Sequence, residues 1–250
     1  KLRQPAWIDS EFERVKNTAI ESAINGQKDA GYLASRAWRQ LMHGENIAAT
    51  LNAGDERSLA NVELDDLKTH YRRQVKPLNG QLIVVSDLGQ AQIIESLSVF
   101  ADWTGRGEPL DLILPYPDTE MGVVYLVDKK DATQSVVWIG KRSMNEDITG
   151  EYFRSSLMNF SLGGAFNSRI NLNLREDKGY TYGARAAFYG GKLSGEYRAS
   201  AEVKTDVTDK SIVELIDEIK RYAQGGIDDN ELRFMRNAII QRDALQYESP

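Results

Sequence analysis

The sequence contains no cysteine, only two histidines and six prolines in 250 residues. The missing cysteines exclude a disulfide framework, a thiolate metal site and a cysteine nucleophile, and they leave the redox compartment open. The two histidines, His43 and His70, fall on separate expected helices. Neither has the His-Glu-x-x-His or His-x-x-Glu-His spacing that sets two imidazoles on one helical turn beside a general base. Each therefore reads as a helix-end or surface histidine, and no metal ligand is assigned to this chain. No apolar run approaches about 18 residues, so no membrane-spanning helix is expected. Acidic residues outnumber basic ones, 37 against 31, for a formal net charge of −6. That sign argues against a nucleic-acid binder that works by neutralising phosphates. No Gly-x-Ser-x-Gly elbow presents a serine nucleophile, and the single glycine of Val85-Ser86-Asp87-Leu88-Gly89 cannot bring backbone close enough to cradle a phosphate.

What is present is ample apolar material, 41% of residues, enough for one large domain or two modest ones. The chain opens at Lys1 without an apolar leader and closes in the helix-like Gln246-Tyr247-Glu248-Ser249-Pro250. Both ends are expected to be cut from a longer protein, with any targeting peptide out of view. A capping box at Ser10-Glu11-Phe12-Glu13 opens a helix over 9–25, whose apolar positions recur at helical spacing. A second helix over 29–42 ends at Gly44, and the two are expected to form an antiparallel pair. Asn61 is read as the cap of a helix over 62–75. Leu82-Ile83-Val84-Val85 reads as a buried strand within 81–86, followed by a helix over 90–103.

Three of the six prolines, with Gly105 and Gly107, fall between 105 and 117, which marks a linker. Beyond it come strands over 122–128 and 135–141, helices over 147–162 and 164–174, and strands over 182–189 and 193–203. Helices over 208–223 and from 228 onward follow, the last opened by the acidic box Asp228-Asp229-Asn230-Glu231. The expected class is α+β, mainly antiparallel sheets with helices packed on one face, in two lobes. The expected division is 1–108, the closing part of one domain; 109–117, the linker; and 118–250, a following domain truncated at its C-terminus.

The most informative stretch runs from Leu162 to Ala184. Its paired Gly163-Gly164 allow a helix to start close to another backbone, Arg175 sits where a cation suits the helix dipole, and Gly179 stops the helix before a strand. Arg175 with Tyr180 and Tyr182 offers hydrogen bonds to peptide carbonyls, but the spacing alone favours helix capping and aromatic packing.

The Gly-Gly, Ser-Arg, Leu-Arg-Glu, Gly and Tyr series of residues 163–182 resembles the C-terminal signature of the pitrilysin/insulinase family of zinc metallopeptidases. Upstream, Glu13-Arg14-Val15-Lys16, Ala34-Ser35-Arg36-Ala37, Leu67 to Tyr71, Pro77-Leu78-Asn79 and Leu82 to Asp87 look like the end of a preceding domain of that family. The resemblance covers nearly the whole chain. It implies homologous α+β domains in two halves that close like a clamshell, with zinc held by an H-x-x-E-H helix and a downstream glutamate. This chain has no such helix. The position seven residues after Glu13, where the metal-binding glutamate would lie, is Ile20; Glu21 is its neighbour, turned about 100° around the helix. The resemblance thus implies a non-catalytic part, with zinc bound outside this chain. It also implies that Arg175 and, seven residues on, Tyr182 bind substrate backbone. The expected function is part of a zinc endopeptidase, inactive alone, that supplies chamber wall and substrate contacts. Its expected partners are a polypeptide substrate and either a missing N-terminal catalytic half or a catalytic subunit. The alternative is a non-enzymatic family member that serves as the structural or assembly partner of an active peptidase subunit. Resemblance to bacterial members favours the periplasm.

Overall fold

The structure is a computed structural model that describes residues 2–50, 53–108, 116–118 and 120–246. In chain order it forms α1 (Asp9–Gly26), α2 (Ala30–His43), α3 (Glu56–Ala60), α4 (Leu64–Gln74), α5 (Gln90–Ser96), β1 (Gln134–Ser143), α6 (Glu151–Asn159), α7 (Arg169–Asn171), β2 (Thr181–Gly190), β3 (Gly195–Lys204), α8 (Thr208–Gly225) and α9 (Asp229–Gln246). The chain divides into two compact units, one from Lys1–Gly26 and Leu51–Leu114, the other from Gln27–Thr50 and Pro115–Ser249. α2 thus groups with the second unit, while α1 belongs to the first.

Local chemistry sets several boundaries. Asp29 caps α2 by accepting from the Tyr32 N–H at 2.7 Å, and Gly44, at φ +64°, ends it with an N–H donated to Gln40 O at 2.9 Å. The acidic box before α9 closes reciprocally. Asp228 accepts from the Glu231 N–H, and the Glu231 carboxylate accepts from the Asp228 N–H, each at 2.9 Å. Glu231 also pairs with Arg169 at 2.6 Å, and that guanidinium holds its carboxyl below the usual range.

In the second unit the strand order is β1-β3-β2, antiparallel throughout, which fits the α+β expectation. Strand alternation turns Val137, Ala184, Ala186, Ala199, Ala201 and Val203 to one face, where Leu162, Ile170, Leu174, Leu215 and Tyr222 complete the core. The alanines keep that face shallow, so the helical layer sits close to the strands. On the other face Trp138 meets Trp38 of α2 edge-to-face at 5.9 Å, and the Arg198 guanidinium stacks 3.9 Å from the Trp138 ring. Glu196 accepts from the Trp38 indole N–H at 2.6 Å. Burial pushes the Tyr197 hydroxyl up to about 12 and His43 below its ordinary value.

The first unit is different. It holds α1, α3, α4 and α5, and its polar contacts tie helices and segments between them: Arg3–Asp102 at 2.7 Å, Arg73 of α4 with Glu108 and Lys16 Nζ of α1 to Val62 O at 2.8 Å. Trp7 meets Tyr71 edge-to-face at 5.5 Å. Among its described residues Ala23 is the one buried hydrophobic side chain.

Several local expectations need correction. Residues 81–86 and 122–128 form no strand among the described residues; both segments are exposed, and no described strand lies beside them. Asn61 ends α3 instead of opening the next helix, which starts after Glu63, where the Asp66 carboxylate accepts from the Glu63 N–H. The helix expected from 147 starts later, because the Asp147 carboxylate takes the Thr149 and Gly150 N–H groups in a turn. It then passes into a π-helical segment, Phe160–Gly164, and a second, Leu172–Asp177, follows α7. Most of the linker expected over 109–117, residues 109–115, lies outside the described residues.

Candidate functional site

The site is assembled where the second π-helical segment gives way to β2. Lys178 N–H donates to Asn173 O at 3.0 Å and Tyr180 N–H to Leu174 O at 2.9 Å, and Gly179, at φ +65°, makes the turn between them. Such wide turns recur at functional sites because they re-aim side chains without ending the helix. Here Leu174 points into the core, fully buried, while Arg175 on the next position faces outward and is 33% exposed. Its guanidinium lies 4.4 Å from the Phe166 ring and 3.4 Å from the Glu176 carboxylate.

The entry into β2 is irregular: pairing with β3 shifts between Thr181 and Ala184. The Thr181 hydroxyl donates to Glu202 O at 2.6 Å and accepts from the Gly183 N–H at 3.1 Å. This folds the backbone so that Tyr182 stands out, 91% exposed. Arg175 and Tyr182 both reach the surface from adjoining elements, Arg175 partly covered by Phe166 and Glu176 and Tyr182 almost wholly exposed. Next to them Lys178 and Glu214 pair at 3.0 Å. The Asn173 amide donates to that carboxylate, and Asn173 and Lys178 together hold it below the usual range.

Sequence reasoning missed four side chains that shape this region. Phe166 supplies the ring under Arg175. Asn171, Asn159 and Tyr152 dress the outer edge of β2. Asn171 accepts from the Ala184 N–H at 2.9 Å, Asn159 donates to Ala186 O at 2.7 Å, and Tyr152 donates to Phe188 O at 3.1 Å and accepts from the Gly190 N–H at 3.2 Å. That edge is satisfied by side chains instead of a strand. The available signal was three asparagines, Asn159, Asn171 and Asn173, within apolar helical stretches that they disfavour unless their amides are used. Among the described residues no group of three or more His, Cys, Asp or Glu comes together to hold a metal. A zinc ion does not fit the side chains in view, and no metal-dependent step is assigned to them.

Residues 61–239 match the family described as the peptidase M16 inactive domain. The "Non-peptidase homolog YmxG" of Helicobacter pylori is 24% identical over 249 residues, covering 99% of this chain and 57% of that protein. A peptidase M16 inactive domain from Pseudomonas fluorescens superposes with a TM-score of 0.81 at 20% identity, over 99% of this chain and 58% of that one. A protease from Helicobacter pylori superposes with a TM-score of 0.85 at 14% identity, over 97% and 60%. The chain thus spans somewhat under two-thirds of the length of these relatives. With a family match across most of its length, and the pitrilysin-type series of residues 163–182 within it, this chain belongs to the peptidase M16 inactive-domain family.

Proposed function

We propose that this chain is the non-catalytic part of an M16 zinc endopeptidase, forming a chamber wall and holding the substrate backbone through Arg175 and Tyr182. The observation that carries the reading is Tyr182, a large side chain kept almost wholly in solvent at the irregular start of β2, with Arg175 partly exposed in the segment that leads into that strand. A structural tyrosine packs its ring, whereas the exposure of Tyr182 supports a hydroxyl that serves a bound polypeptide. Arg175 adds a charged donor fork suited to peptide carbonyls. Zinc, bound by a catalytic half or catalytic subunit, would supply an activated water, and this chain would position the polypeptide against it. In this reading residues 1–108 close one family domain and 118–250 are the following domain, truncated at its C-terminus, with the linker at 109–117 and α2 grouped with the second unit. A periplasmic location accompanies the proposal by likeness to bacterial family members.

A second reading is favoured by the relative named a non-peptidase homolog: a non-enzymatic member that assembles with an active subunit. Metal content and cleavage separate the two. The 250-residue chain, dialysed and assayed alone, is expected to carry no stoichiometric zinc and to cleave no peptide. The complete protein, or its complex with a catalytic subunit, is expected to cleave an unstructured polypeptide with one zinc per active site. Tight stoichiometric zinc on the chain alone contradicts the proposal. An intact assembly that carries no zinc and cleaves nothing establishes the non-enzymatic reading.

A further inference from the structure

Asn171 closes α7 as a buried polar side chain, 3% exposed, and both ends of its amide are used. Its Oδ1 accepts from the Ala184 N–H at 2.9 Å, and its Nδ2 donates to Phe166 O at 2.7 Å. One partner is a donor and the other an acceptor, so the hydrogen bonds fix the amide in one orientation. The two backbone groups it joins belong to the two halves of the substrate-holding site. Phe166 carries the ring that lies 4.4 Å from the Arg175 guanidinium. Ala184 is where pairing with β3 resumes after the register shift at which Tyr182 stands out. On the other side of that shift the Thr181 hydroxyl bonds to Glu202 O and the Gly183 N–H. Tyr182 is thus bracketed in sequence by one hydroxyl and one amide.

Phe166 itself is 67% exposed, so core packing is not what it supplies. A guanidinium resting on a ring gives up part of its rotamer freedom before any ligand arrives, which lowers the cost of ordering it on a bound peptide. The geometry points to Phe166 and Asn171 as positioning residues for the substrate-holding pair. Phe166 steadies Arg175, and Asn171 ties the Phe166 turn to the start of β2, so that Arg175 and Tyr182 meet one polypeptide backbone in register. Neither touches substrate: Phe166 acts through Arg175, and Asn171 through both Arg175 and Tyr182. The inference rests on the reading of Arg175 and Tyr182 as substrate contacts and adds what sets their placement.

Double-mutant cycles on kcat/KM test this, in the complete or paired enzyme with reduced, carboxymethylated α-lactalbumin as the unfolded substrate. Phe166→Ala is expected to lower kcat/KM at least about threefold alone, by the same factor in Tyr182→Phe, and by less than about 1.5-fold in Arg175→Ala. Asn171→Ala is expected to cost at least about tenfold alone and less than about twofold once Arg175→Ala and Tyr182→Phe are both present. Asn159→Ala is the structural control. Asn159 is equally buried and donates to Ala186 O on the same strand, so its loss loosens β2 but should leave kcat/KM within about threefold. Should Asn171→Ala fail to fold, Phe166→Ala at an exposed position carries the test. Losses that multiply with Arg175→Ala overturn the inference, as does Asn159→Ala falling as far as Asn171→Ala. If Arg175→Ala and Tyr182→Phe each lose activity while the cycles are additive, the substrate-holding reading stands and this one falls. If neither loses activity, or the assembly cleaves nothing, both fall.

Discussion

Leu174→Ala is expected to cost the second unit about 2 to 5 kcal/mol, the range for truncating a large aliphatic side chain in a packed core. Leu174 is fully buried and belongs to the cluster with Ile170, Ala201, Val203 and Leu215. It sits in a π-helical segment between the Asn173 amide, tied to Glu214 and Glu218, and outward-facing Arg175. Those polar anchors limit how far the segment can settle into the vacated space, so the cavity persists. For a chain of this size a loss of that order lowers the unfolding midpoint by about 5 to 15 °C. Thermal unfolding followed by tryptophan fluorescence reads it through Trp38 and Trp138 in the second unit. A loss below about 1 kcal/mol would mean that the shallow alanine face of the sheet closes over the gap.

Gly163→Ala is the second large effect. A Cβ at Gly163 would lie 2.4 Å from the Ala186 backbone nitrogen and 2.5 Å from its Cβ, so the segment and β2 must part. Overpacking of this kind costs about 1 to 3 kcal/mol, and the separation also strains the hydrogen bond from Asn159 to Ala186 O. Gly164→Ala is the control. Its nearest neighbour would be Asn159 O at 3.5 Å, so it should be neutral or slightly stabilising. Urea midpoints for the two variants check this, and equal midpoints would contradict the close approach.

Much of this arrangement was legible in the sequence where local chemistry decides it. α2 between Asp29 and Gly44, the acidic box opening α9, and the three paired strands all follow from caps and periodicity that act within a few residues. The π-helical segments were not legible: Phe160–Gly164 and Leu172–Asp177 carry helical apolar spacing, and the extra residue per turn comes from packing on β2 and from Asn173 reaching α8. Residues 81–86 and 122–128 expose the opposite failure. Their composition marks strands, but a strand needs neighbours, and none of the described residues supplies them. Arg175 and Tyr182 could be singled out from the residues, but it was the family resemblance that gave them a substrate-holding role. Their spacing fitted helix capping and packing as well, and Phe166, which carries the Arg175 guanidinium, gave no signal of its own.

The account turns on whether Arg175 and Tyr182 serve a bound polypeptide or the fold. A partly exposed Arg175–Glu176 pair contributes at most about 1 kcal/mol, and the hydroxyl of an exposed tyrosine less than about 0.5 kcal/mol. Donors aimed at a reacting peptide are worth about 2 to 4 kcal/mol in the transition state. The most direct measurement is therefore kcat/KM together with the unfolding midpoint for Arg175→Ala and Tyr182→Phe, made in the complete or paired enzyme. Each variant is expected to lose at least about tenfold in kcat/KM with the midpoint nearly unchanged. Full activity in both, or unfolding eased by several kcal/mol, would contradict the substrate-holding role and return both residues to capping and packing.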